Sequence, residues 1–114
     1  GTDTWMGFGF EVMPFTDANA KDLSAYNYLN FNYRGTKNFR LGMRWVGSNI
    51  YLDVVDMVGF DLVIDGNWST VKIPLTAFTG IDKSKVLQYI MFSSVGDYEV
   101  GDIHTFDNIY FSVN

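Results

Sequence analysis

Tyr28, Asn30, Asn32 and Arg34 stand at alternate positions in the stretch YLNFNYRG. Alternate side chains of an extended strand share a face, so these four lie opposite the apolar Leu29, Phe31 and Tyr33. An amide offers both a donor and an acceptor, and a guanidinium offers five donors in a fixed fork. A merely solvated strand face more typically carries Thr, Lys, Ser and Glu. Planar hydrogen-bonding groups beside a flat aromatic suit a sugar, which presents hydroxyls around its edge and C–H groups on its face. An ordinary wet sheet face is the plain alternative. Arg40 and Arg44, flanking Gly42 in FRLGMRWV, repeat the pattern. If the two strands pair, Arg40 or Arg44 sits across from the Asn row.

The platforms for such a ligand are sought among the aromatics. In WMGFGFEVM, Met6, Phe8, Phe10 and Val12 form a core face, leaving Trp5, Gly7, Gly9 and Glu11 on the other. Glycine weakens a strand interior, so Gly7, Gly9 and Gly42 suggest either a shallow trough walled by Trp5 or a packed bend. Trp45 shares parity with Phe39, Leu41 and Met43 but lies at a strand end, where it can serve as core or as platform. Trp68 reads as scaffold packed at a sheet edge. Tyr51 and Tyr89 are further candidates. The expected ligand-contacting set is therefore Trp5, Tyr28, Asn30, Asn32, Arg34, Arg40, Arg44, Trp45, Tyr51 and Tyr89.

Other chemistries fit poorly. Glycoside hydrolysis needs two carboxylates at a set separation, yet Glu11 and Glu99 are the only glutamates and most Asp sit in turn contexts. His104 is the sole histidine and there is no cysteine, which rules out multi-His and thiolate chemistry. The net charge is −5, with eight basic residues scattered along the chain. Polyanion binding needs clustered Lys and Arg, so neither nucleic acid nor an anionic membrane is expected as a partner.

The elements that must position these residues are strands. Period-2 alternation dominates the 114 residues, and no stretch holds a helical period for long. Eight short strands are expected, starting near WMGFGFEVM, YLNFNYRG, FRLGMRWV, IYLDVVD, GFDLVID, STVKIPLTAF, VLQYIMFSSV and HTFDNIYFSV. Gly35-Thr36-Lys37-Asn38 reads as a hairpin turn, and single helical turns fit near Asp22 and Asp82. The fold class is all-β, a β-sandwich of two antiparallel sheets, as one domain over residues 1–114. No apolar run approaches membrane-spanning length.

DLSAYNYLNFNYRG, NWSTVKIPLTAF, DKSKV, YIMFSS and FDNIYF, in that order, make a recognisable series. It resembles the jelly-roll carbohydrate-binding modules attached to bacterial polysaccharide-degrading enzymes, a galactose-binding-like β-sandwich. The likeness runs from about Asp22 to Phe111, and its tightest pieces are Trp68-x-x-Val71-x-Ile73-Pro74-Leu75-x-x-Phe78 and Phe106-Asp107-Asn108-Ile109-x-Phe111. The resemblance implies a non-catalytic module that binds plant cell-wall β-glycan chains (β-glucan, xyloglucan or mannan) and tethers linked catalytic domains to them. A secreted or cell-surface bacterial monomer without a cofactor is expected. The same fold also serves protein interaction and assembly, which is the alternative function. Many relatives hold a structural calcium on an Asp of the last strand, here Asp107, with Asp97, Glu99 and Asp102 as possible further donors. Members usually carry further strands before the position of WMGFGF, so loss of that calcium is the expectation.

Overall fold

The structure, a computed structural model, describes residues 7–11, 13–95 and 103–114, with Gly7, Phe8 and Glu11 described by their backbone. Within them run β1 (Gly7–Glu11), β2 (Tyr28–Gly35), β3 (Phe39–Trp45), β4 (Ser48–Asp53), β5 (Ser69–Pro74), β6 (Val86–Ser94) and β7 (His104–Ser112). One sheet has the order β1-β6-β3-β4 and the other β5-β2-β7, and every pairing is antiparallel. The chain is the all-β sandwich its alternation predicts.

Alternation explains the layering. Leu29, Phe31 and Tyr33 of β2 with Val71 and Ile73 of β5 form the inner face of the three-stranded sheet. Phe39, Leu41, Met43, Leu52, Ile90 and Phe92 form the inner face of the four-stranded sheet, and one buried cluster joins the two. Many of the aromatics go here. Phe39 lies 4.7 Å from Tyr33, 5.5 Å from Phe92 and 5.7 Å from Phe106, ring centre to ring centre. Such tilted and edge-on pairs add to the area they bury. His104 belongs to this cluster, sharing a 2.7 Å hydrogen bond between its Nδ1 and the Tyr33 hydroxyl, which makes it a structural residue.

Two local expectations change. GFDLVID is not a strand: β4 runs into α1 (Val54–Met57) and then a 3-10 turn at Val58–Phe60. The Asp56 carboxylate accepts the Asp53 backbone N–H at 3.1 Å, a helix-start bond that overrides the β-branched pair Val54-Val55. Met57 and Leu62 are then buried at a spacing no strand would produce. Near Asp22 there is a turn rather than helix, because its carboxylate accepts the Ser24 N–H at 2.8 Å. Asp82 caps the 3-10 turn Lys83–Lys85, accepting from the Ser84 hydroxyl at 2.5 Å and N–H at 3.0 Å. Hydrogen bonds from those serines, the hydroxyl first and then the N–H, hold both carboxyls below the ordinary aspartate value.

Candidate functional site

The structure separates residues that alternation alone would group. β2 lies in the three-stranded sheet and β3 in the four-stranded sheet, so Arg40 and Arg44 do not sit across from the Asn row. Residues 35–38 do not make a hairpin; they carry the chain from one layer to the other. Gly35 pairs with His104 on β7, whereas Phe39 pairs with Ser94 on β6. The cause is burial: stacking the apolar faces of β2 and β3 against each other hides both, while pairing the strands side by side would hide neither. Tyr28, Asn30, Asn32 and Arg34 thus occupy one outer surface of the sandwich, and Arg40, Arg44 and Tyr51 the opposite one.

On the four-stranded sheet the register sets three rows across the strands. Gly7, Ser93, Arg40 and Asp53 form the first; Gly9, Met91, Gly42 and Tyr51 the second; Glu11, Gln88, Arg44 and Asn49 the third. The middle row is apolar and its neighbours are polar. A Cβ on Gly42 would come within 2.7 Å of the Tyr51 ring, so that ring lies over the bare glycine backbone. Its hydroxyl reaches on to the Met91 sulfur at 3.7 Å. Tyr51 therefore lies flat from β4 across β3 toward β6, and stays 41% exposed. An aromatic laid over a cross-strand glycine also compensates for the missing side chain. At Gly42, at least, the bare position is not an open trough: the Tyr51 ring lies over it.

The polar rows hold their groups in place. Arg40 Nε bonds Asp53 Oδ1 at 2.9 Å, both side chains being about half exposed; such a pair adds little stability but presents a donor and an acceptor side by side. Arg44 lies 5.3 Å over the Phe15 ring, which orients the guanidinium. Beside it Asp17, Arg44, Asn49 and Trp45 line a polar depression of about 450 Å³.

Trp45 is not an exposed platform. Its inward parity prevails, and only 5% of it is accessible, because β3 pairs with Val86 and Ser48 right up to that residue. Trp68 departs in the other direction: expected as packed scaffold, it is 50% exposed. Ser69 is drawn inward, its hydroxyl accepting the Val63 N–H at 3.0 Å and facing the Val63 carbonyl at 3.3 Å, so the preceding side chain must point out. Tyr89 joins neither outer face. It sits at a β1–β6 irregularity and packs against the core. There it lines an apolar cleft of about 440 Å³ that also includes Phe10, Phe106 and Phe111. Phe10, expected in the core, is 54% exposed at this cleft, since β1 is an edge strand. Trp5 lies outside the described residues.

Alternation could have found Asn49, Asp53, Gln88 and Ser93, but only with the pairing known. Gly47-Ser48-Asn49 reads as a turn in the sequence, but β4 already begins at Ser48, paired with Trp45, so Asn49 is a strand residue beside Arg44. No group of three or more His, Asp or Glu that could hold a metal occurs among the described residues. Asp107 spends one carboxylate oxygen on the Asn108 N–H at 2.9 Å, while Asp97, Glu99 and Asp102 lie outside those residues. The expectation to test is that a chelator leaves the melting temperature unchanged. A fall of several degrees, mimicked by Asp107→Ala, would establish a bound cation that stabilises the folded state by mass action.

The outer face of the four-stranded sheet thus sets one exposed aromatic, Tyr51, between rows of amide, guanidinium and carboxylate groups. No curated protein matches the sequence. The family described as carbohydrate binding domain 30 matches over residues 1–112. With nearly the whole chain covered, the protein belongs to this family of carbohydrate-binding modules.

Proposed function

We propose that the module binds a neutral β-linked glycan chain laid across the outer face of the four-stranded sheet. The observation that supports this reading is the row Gly9–Met91–Gly42–Tyr51 with a polar row on either side. A sugar ring stacks its C–H face on Tyr51, and its equatorial hydroxyls meet Arg40 and Asp53 on one side, Arg44 and Asn49 on the other. Four strands span about 14 Å at the usual spacing, enough for a short run of sugar units. Arg40 is neutralised by Asp53 and the chain carries −5 overall, which suits an uncharged ligand better than a polyanionic one. A single central tyrosine fits soluble β-glucan, xyloglucan or mannan chains; a crystalline cellulose surface calls for a flat row of aromatics. In this reading the module is secreted and holds linked catalytic domains on plant cell-wall polysaccharide. Family membership favours it over an assembly role.

Affinity electrophoresis through gels containing mixed-linkage β-glucan, xyloglucan or mannan tests the reading, with polygalacturonate as an acidic control. Retardation by at least one neutral glycan and not by the control is expected. Free migration through all the neutral gels rejects it.

A further inference from the structure

The outer face of the three-stranded sheet carries a second set of sugar-recognition groups, and it points away from the first. Register places Tyr110 beside Asn30 and Thr70 beside Asn32. These four, together with Asn108, enclose a depression of about 500 Å³, within the size range of small-ligand sites. Asn108 is brought there by a bulge in β7: it adopts φ 51° where the β2–β7 register slips between Asn30 and Asn32. A bulge at this point re-aims a side chain out of the regular alternation. Amides supply donor and acceptor together; the Asn32 and Asn108 amides meet the Thr70 and Tyr110 hydroxyls here, while Asn30, only 8% exposed, keeps its NH2 within the protein and lines the floor.

Two exposed aromatics belong to this face: Tyr110, in the lining, is 54% exposed, and Trp68, just before β5 and two residues from Thr70, is 50% exposed. Arg34 sits 5.3 Å over the Trp68 ring. A guanidinium can cover only one of the two faces of an indole, and the stacking holds the ring in place. The Asn30 amide is itself held, donating to Ser112 Oγ at 2.8 Å, so part of the site is organised before a ligand arrives.

We infer that this surface is a second glycan-binding face, and that the module is bivalent, gripping one neutral β-glycan chain on each side of the sandwich. The inference rests on the glycan-binding reading above but assigns different residues. With one chain per face, the module would cross-link neighbouring polysaccharide chains, and binding to long polymers would gain from avidity.

Calorimetric titration with a mixed-linkage β-glucan hexasaccharide tests it. Two sites per protein are expected in the wild type, one in Tyr51→Ala, one in Trp68→Ala, and none in the double variant. Asn32→Ala serves as a second probe of the new face in case Trp68→Ala perturbs folding, and should also leave one site. On long soluble β-glucan, light scattering should rise with the wild type and stay flat with each single variant. One site in the wild type, lost in Tyr51→Ala and untouched by Trp68→Ala and Asn32→Ala, overturns bivalency while leaving the proposed function standing. One site that vanishes in Trp68→Ala and survives Tyr51→Ala overturns both bivalency and the placement on the four-stranded sheet.

Discussion

Tyr51→Ala is expected to weaken glycan binding on the four-stranded sheet roughly ten- to a hundredfold. Covering one large side chain is worth about 1.5–3 kcal/mol, and each 1.4 kcal/mol is about a factor of ten in affinity. Folding stability should change far less, by about 1 kcal/mol or under, because the ring is 41% exposed before any ligand binds. Tyr51→Phe keeps the platform and loses only the 3.7 Å contact to the Met91 sulfur, so it should bind within a few-fold of wild type. Gly42→Ala is the more searching variant. It leaves every proposed ligand-contacting group in the chain but places a methyl 2.7 Å from the Tyr51 ring, which forces the ring to lift. It should reproduce much of the Tyr51→Ala loss. Calorimetric titration and denaturant melts on the three variants decide the matter. If Gly42→Ala binds as wild type while Tyr51→Ala does not, the flat seating of the ring is irrelevant to binding.

Trp45→Ala should do the reverse, with the largest stability effect of any single change considered. Emptying a buried aromatic site costs about 3–5 kcal/mol, against a total of about 5–15 kcal/mol for a domain of this kind. Trp45 is 5% exposed and its strand is paired on both sides, so little can collapse into the space without disturbing β4 or β6. Where the variant remains folded, Tyr51 should keep most of its affinity for sugar. A small change in the urea midpoint, with binding abolished, would show that Trp45 reaches the ligand through the depression it shares with Arg44 and Asn49.

The contrast between those two aromatics shows what alternation can determine. Face parity is a local property of an extended chain, since each residue points opposite to the one before it. Parity therefore already separated Leu29, Phe31 and Tyr33 from Tyr28, Asn30, Asn32 and Arg34, and it set Trp45 inward. Followed consistently it would also have set Trp68 outward, because Val71 and Ile73 are core residues. The scaffold resemblance of NWSTVKIPL pulled that reading the wrong way. The sandwich class was likewise legible in the alternation of residue types.

Sheet membership was not legible, because pairing is a long-range choice between surfaces that look alike locally. YLNFNYRG and FRLGMRWV each have one apolar and one polar face, and they could have become neighbours in one sheet or facing layers in two. Only burial of both apolar faces at once decides for the layers. That decision divided the expected site into two surfaces and brought Asn49, Asp53 and Ser93 alongside Arg40, Arg44 and Tyr51. It also gave Gly42 its partner: the sequence showed a bare position in a strand, and the fold laid a tyrosine over it.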